Sequence, residues 1–314
     1  MSTLKKGIIA GGQTAWSLSK VIFPITFLVT ILQFTPVLPW LIDLIAPLMG
    51  ILGLGGEAAI PLVLGNFLNL YAAIAGILSV ELTVKEVFIL AVMLSFSHNI
   101  FIETGVALKT GVKLWIILAV RFGLAILSAI VIRFLWNGGG EIAQYGLVPA
   151  QTPDPDGWGG ILLLGLEKAG LGILQLLIIV IPLMIVVQYL RDYLFLDKLS
   201  DILAPVTKVI GVQPNAAMTL VAGLFIGLAY GAGVMIQSVK EDGVSKKDAT
   251  LCFIFLVACH AVIEDTLIFA PLGVPILYLL LIRLLTAFAL TMVVAFIWNK
   301  AELKEMNREV FQSE

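Results

Sequence analysis

DLIAPLMGILGLGGEAA, residues 43–59, and DILAPVTKVIGVQPNAA, residues 201–217, are two versions of one phrase set 158 positions apart. Both run from an Asp through Ala-Pro and an aliphatic stretch to Gly and a closing Ala-Ala. Four extra residues enter the later copy, and the match then resumes at an offset of 162. There LTVKEVFILAVMLSFSHNIFIET (82–104) answers VSKKDATLCFIFLVACHAVIEDT (244–266). His98 falls on His260, Glu103 on Asp265, Thr104 on Thr266, Arg121 on Arg283 and Trp136 on Trp298. A register kept over that length marks an internal duplication.

The composition says which solvent the duplicated unit folds in. Of 314 residues, 60% are hydrophobic and 13% charged, and mean hydropathy is +1.06. A soluble domain carries about 25% charged residues, whereas a bilayer penalises each buried charge. A net charge of −2 gives no footprint for nucleic acid. Cys252 and Cys259 are seven apart, too far for a disulfide within one helix, and read as small core residues. The N-terminus lacks the charged-then-apolar order of a signal peptide.

The reading is therefore an all-α polytopic membrane protein of two repeats. Residues 1–19 read as a cytoplasmic tail, 20–137 as repeat 1, 138–165 as an extracytoplasmic linker, 166–298 as repeat 2 and 299–314 as a cytoplasmic tail. Long apolar segments run over 21–38, 57–79, 86–106 and 112–136, then 170–190, 215–237, 248–270 and 274–298. The stretches 40–53 and 199–211 are too short to span and read as interfacial helices. Segments 57–79 and 215–237 open on GLGGEAAIP and GVQPNAA, and the second carries Gly223, Gly227, Gly231 and Gly233. Such segments read as broken or re-entrant hairpins, tolerated where protein or a watery cavity covers the backbone. With both entering and leaving on one side, fourteen Lys and Arg, from Lys5 to Arg308, lie on the cytoplasmic side, against only Lys85 and Lys168 outside. Each half then crosses an odd number of times. The repeats are inverted, with both termini in the cytoplasm of a cell bounded by this membrane.

At GLGGEAAIPLVLGNFLNLYAAIAGIL and the paired SHNIFIET and CHAVIEDT segments, the chain resembles the nucleoside-recognition, or gate, family. That family is similar to the gate regions of ferrous-iron transporter B and of concentrative nucleoside transporters, and it includes spore maturation proteins A and B. The resemblance covers both repeats and implies transport or membrane partnership without naming a substrate. No GxxxxGK[ST] occurs, so this chain supplies no nucleotide-driven energy.

The polar groups inside the apolar segments are the candidate site. His98 and His260 are the chain's two histidines, each about 18 Å into its segment, near mid-membrane. Arg121 and Arg283 lie at similar depth. Counting from a turn near residue 108, Glu103 and Arg121 are expected to miss each other by about 10 Å, with His98 level with Arg121. From the hairpins, Glu57, Asn66, Asn69 and Asn215 are expected near the cavity. SFSHN marks a place where the helix unwinds and lets its groups converge. Asn99 answers Ala261, and Glu264 answers Ile102, so the second half carries an extra carboxylate beside Asp265. That makes Glu264 the expected coupling or binding group. His98, Glu103, His260, Glu264 and Asp265, with Cys259 nearby, could draw a metal site, although no HExxH or CxxC spacing supports one. No nucleophile and base stand together, so neither an enzyme nor a cofactor is expected. The expected function is secondary transport of a small polar solute, nucleoside-like or anionic, since two guanidiniums repel metal. The alternatives are a divalent-cation permease and a non-transporting membrane partner. The expected partners are that solute or ion and the lipid bilayer, with room left for a homo-oligomer.

Overall fold

The computed structural model describes residues 2–145, 155–193 and 196–313. Among these the protein is helical, with no strand and a single isolated bridge, Thr83 to Ile142. Four stretches are long and apolar enough to cross a membrane: Val84–Lys109, Leu114–Leu135, Gly157–Val186 and Ile276–Glu302. A fifth passes only as a pair, Phe23–Gln33 with Val37–Ile51, bent by 91°. The chain is a multi-pass membrane protein. It forms two compact units, one of Met1–Phe101, Phe122–Tyr193 and Ile263–Leu280, the other of Ile102–Arg121, Leu194–Val262 and Leu281–Glu314. The units do not follow the repeats: each takes in a corresponding segment of the opposite repeat.

In the first unit, α1 (Thr3–Gln33) pairs with α8 (Gly157–Tyr193). A Cβ on Gly7 would lie 2.7 Å from the Ile185 Cα, one on Gly11 2.9 Å from the Ile181 Cα, and one on Gly165 3.0 Å from the Phe27 ring. Partner numbers fall as α1 numbers rise, so the helices are antiparallel. Lys6, near the start of α1, meets Asp192, near the end of α8, at 2.9 Å. Residues 3–19, expected as a tail, are therefore helix, and α8 begins inside the stretch expected as linker. Gly7, Gly11 and Gly165 are thus points where two apolar helices approach closely.

Pro36 opens α2 (Val37–Ile51) after the sharp bend. A single turn, Gly56–Ala58, then leads into α3 (Ala59–Phe67). The chain reverses at Leu68, and Asn69 caps α4 (Leu70–Ser79), its Oδ1 accepting the Ala72 N–H at 2.9 Å. A Cβ on Gly76 would meet Pro61 at 2.8 Å, and one on Gly65 would meet the Ala73 Cβ at 2.8 Å. Residues 59–79 are thus a tight antiparallel helical hairpin, as the Gly and Pro pattern predicts. Next comes α5 (Val84–Ser97), opened by a capping box between Thr83 and Glu86. Within the apolar segment 86–106 it stops at Ser97, and α6 (Ile100–Lys109) restarts beyond Asn99. The interruption falls where SFSHN predicted unwinding. The turn to α7 (Leu114–Leu135) contains Gly111 at φ +88°.

The second unit repeats this plan with local departures. An amphipathic α9 (Leu196–Val209) leads to the turn Pro214–Ala216. Its hairpin comprises α10 (Ala217–Val221), a π turn at Ala222–Ile226, Gly227 at φ +94° and α11 (Ala232–Glu241). Thr219 Oγ1 donates to Ser238 Oγ at 3.2 Å across it. Then α12 (Lys246–Ala258), capped by Ser245, ends at Cys259, so the segment expected over 248–270 is also broken. In repeat 2 a four-residue α13 (Glu264–Leu267), placed in the first unit, stands where repeat 1 has α6. Pro271 and Pro275 follow it and shorten what can be helical there. The chain ends in α14 (Ile276–Ser313), which runs through the expected C-terminal tail.

Matched positions behave alike in the two copies. Gly53 and Gly211 both turn at positive φ, +77° and +76°, as do Gly111 and Gly273, +88° and +74°. Glu86 Oε1 accepts from the Gly55 N–H at 2.6 Å, and Asp248 Oδ1 accepts from the Gln213 N–H at 3.1 Å. Each acid so ties the start of its helix to the mouth of its hairpin.

Candidate functional site

The helix breaks are built identically. Asn99 at φ +51° donates its N–H to the Gly65 carbonyl at 2.8 Å. Ala261, at φ +39°, donates to the Gly223 carbonyl at 3.1 Å. Left-handed backbone is costly for residues other than Gly, Asn or Asp. Its presence at both breaks shows that the surrounding packing imposes the geometry. Gly65 and Gly223 are required by it: a Cβ on either would lie 2.4 Å from Leu94 Cδ2 or Leu256 Cδ1.

Each break carries a histidine held the same way. His98 Nδ1 lies 2.7 Å from the Leu94 carbonyl, and His260 Nδ1 lies 2.8 Å from the Leu256 carbonyl. A carbonyl only accepts, so Nδ1 carries a proton in both. Nε2 is the other ring nitrogen, and in each case it faces a carboxylate. In the first unit His98 Nε2 is 3.9 Å from Asp265 Oδ2. In the second His260 Nε2 is 3.3 Å from Glu103 Oε1. The pairing is crossed, since each acid meets the histidine of the other repeat. The His260 contact is within hydrogen-bond reach of its carboxylate, whereas the His98 contact is an ion-pair distance only.

The second unit also overturns the expectation that Glu103 and Arg121 miss each other. The Arg121 guanidinium lies 2.9 Å from Glu103 Oε2, with Arg121 fully buried and Glu103 4% exposed. The count from residue 108 placed the turn too early. Helix α6 runs to Lys109 and α7 starts at Leu114, so the turn centres near Gly111 and the two side chains come level. Arg283, equally buried, donates to the His260 carbonyl. Both guanidiniums are thus engaged by the protein.

In the first unit the extra carboxylate found by comparing the repeats has a partner that comparison did not name. The Tyr71 hydroxyl donates to Glu264 Oε1 at 2.7 Å, and it lies 3.9 Å from the Met184 sulfur. All three residues are buried. Tyr71 sits alone in an apolar helix, and its only signal is that the matching position of α11, at an offset of 162, is Gly233.

The hairpin residues divide. Asn66 is 7% exposed, donates to the Leu62 carbonyl at 2.7 Å, and keeps Oδ1 buried without a hydrogen-bond partner. Asn69 is used as a helix cap. Asn215 lies exposed, donating to the Asp242 and Gly243 carbonyls, and serves its hairpin's ends. Glu57 opens on a cleft of about 240 Å³ with Glu81, Gln33, Phe34, Leu38, Pro39 and Ile42. Burial pushes the Glu57 carboxyl above the usual carboxylate range, helped by Glu81 and Glu86 and opposed by Lys168.

Comparison with known proteins agrees with this architecture. The family model described as Gate, nucleoside recognition, matches residues 15–113 and 173–274, one stretch in each repeat. An uncharacterized membrane protein of Bacillus subtilis (strain 168), YvoD, is 61% identical over 303 residues, 96% of this chain and 97% of its own length. No solved structure matches the chain. Two family matches falling on the two repeats, on a helical multi-pass chain, fix the assignment: the protein belongs to the Gate (nucleoside recognition) family of membrane proteins.

Proposed function

We propose that the protein is a secondary transporter of a small, polar, uncharged solute, held in the cytoplasmic membrane as two inverted repeats with both termini inside. The observation that carries this reading is the crossed pairing of buried groups, Glu103 with His260 and Asp265 with His98. Ionisable residues inside a membrane are expensive and are retained where a solute or proton must pass. Here they sit at interrupted helices beside helical hairpins, the arrangement from which transporters of repeat architecture make their midplane sites. Because each pair draws on both repeats, a proton or solute that alters one pair acts on both halves at once. Inversion is supported by the cytoplasmic excess of Lys and Arg and by the antiparallel run of α1 and α8, the leading helices of the two repeats.

An uncharged solute fits better than an anion, because Arg121 is matched by Glu103 and Arg283 by the His260 carbonyl. The buried Asn66 Oδ1 offers an acceptor to such a solute; leaving one unmade costs about 1–3 kcal/mol. A divalent-cation permease is the second reading, favoured by the imidazole nitrogen and carboxylate oxygen that face each other in each pair. Heat stability of the purified protein in detergent separates them. Stabilisation by a nucleoside or another neutral polar solute supports the first reading, and stabilisation by Zn²⁺ or Mn²⁺ alone supports the second. No response to either class, with no flux in proteoliposomes, rejects transport in favour of a membrane partner role.

A further inference from the structure

The second unit holds a cavity of about 680 Å³ where the end of α9, the start of α12 and the stretch of α14 at Asn299 and Glu302 meet. In the duplication its lining maps onto residues 50–55, 83–86 and 137–140. There the first unit places its own chain. A Cβ on Gly53 would meet Arg133 Cγ at 2.9 Å, and the Arg133 guanidinium donates to the Ile51 carbonyl at 2.8 Å. Beyond Trp136 the backbone doubles back, so that the Lys85 N–H donates to the Gly139 carbonyl and the Val84 N–H to the Glu141 carbonyl. The later copy has Ala295 where the earlier has Arg133, and a Cβ on Gly211 would meet only that alanine. Its chain also continues as helix α14 instead of turning back. Finally, Lys208 stands where the first copy has Gly50. The second copy therefore has space in place of the filling, and a lysine added to the lining.

The charges around this cavity leave one cation over. Glu302 is matched by Lys247, whose Nζ lies 2.5 Å from Glu302 Oε2. Asp248 is matched by donors: Oδ1 accepts the Gln213 N–H at 3.1 Å and Oδ2 the Ser245 hydroxyl at 2.6 Å. Lys208 lines the cavity and makes no hydrogen bond or ion pair among the described residues. Lys247 also donates to Asn299 Oδ1, which leaves the Asn299 amide nitrogen as a second donor. The volume is that of a small-molecule site. Its place is the membrane surface, because the apolar span Ile276–Glu302 ends there. The amphipathic α9 beside it has the character of a helix lying at headgroup level. Phosphate is the anion concentrated at that depth, and basic pockets between helices take it. We propose that this cavity binds a phosphate-bearing anion, the headgroup of an acidic phospholipid or a free phosphate compound. Lys208 supplies the charge and the Asn299 amide a hydrogen bond.

The test is thermal stabilisation of the purified full chain in non-ionic detergent. Phosphatidylglycerol, phosphatidylcholine, glycerol 3-phosphate and inorganic phosphate are added as separate concentration series. Wild type should respond to phosphatidylglycerol, which assigns a lipid, or to one of the two free phosphates, which assigns a soluble anion. Phosphatidylcholine, without net charge, should act more weakly than phosphatidylglycerol if the occupant is a lipid. Lys208→Gln, a change at an exposed position, should shift the response about fivefold to higher concentration. Lys240→Gln, in the same unit and outside the cavity lining, should leave it in place. Ala295→Arg restores the first copy's filling and should abolish the response, and Lys208→Gln decides the matter if that variant fails to fold. The inference is overturned if none of the three anions stabilises wild type, or if the only response is to the two lipids equally. It is also overturned if Lys208→Gln leaves the response unchanged, or if Lys240→Gln weakens it as much.

Discussion

Glu103 is the residue on which most of the buried charge in the second unit converges. Its two oxygens meet Arg121 at 2.9 Å and His260 at 3.3 Å. Removing one partner of a buried ion pair strands the other, at a cost of about 3–5 kcal/mol. Glu103→Gln should therefore lower stability by that order, and Glu103→Gln with Arg121→Met should lower it less than Glu103→Gln alone. Unfolding in detergent, read as a double-mutant cycle, checks this, and strictly additive losses would count against it. Glu57 gives a separate expectation. Its carboxyl titrates above the ordinary 4.5, so folding takes up a proton there. The stabilisation is present at low pH and is lost as pH rises from 4.5 through the raised value. Glu57→Gln should remove this part of the pH dependence, which melting curves across acidic pH will show.

At the scale of elements, the helix breaks impose backbone on whatever residue stands there. Ala261 holds φ +39° in the copy where its counterpart is Asn99, a residue more tolerant of that region. Ala261→Gly should thus raise stability by about 1 kcal/mol, whereas Asn99→Gly should gain less; thermal melts of the two variants decide it. The same elements show how much the sequence made legible. Hairpins at 57–79 and 215–237 could be read because Gly and Pro cluster where a lipid-facing helix has no use for them. The unwinding at SFSHN was also visible as a polar run inside apolar sequence. Helix ends were less visible. GGQTAWSLSK looks like a tail, yet Gly11 lies within α1 and packs on Ile181 of α8. A shift of the α6–α7 turn from 108 to Gly111 sufficed to turn a 10 Å miss, as estimated from helix rise, into an ion pair. Tyr71 was invisible for another reason: a lone Tyr in an apolar helix has no spacing, and its partner lies 193 residues away.

For the molecule as a whole, the proposed inversion of the two copies rests on the distribution of Lys and Arg. Single cysteines at Ser2, Gly140 and Ser313, in a background lacking the buried Cys252 and Cys259, report this with an impermeant thiol reagent. Ser2 and Ser313 should label from the cytoplasmic side and Gly140 from outside. Labelling of all three from one side would reject inverted repeats. The central claim, that crossed acid–histidine pairs move a polar solute, is tested most directly by flux in proteoliposomes. Wild type and Asp265→Asn, reconstituted at equal density, are given a labelled neutral solute that stabilises the wild type. The account predicts saturable uptake by wild type and at least a tenfold loss, about 1.4 kcal/mol of barrier, in Asp265→Asn. Equal uptake by the two proteins would contradict it.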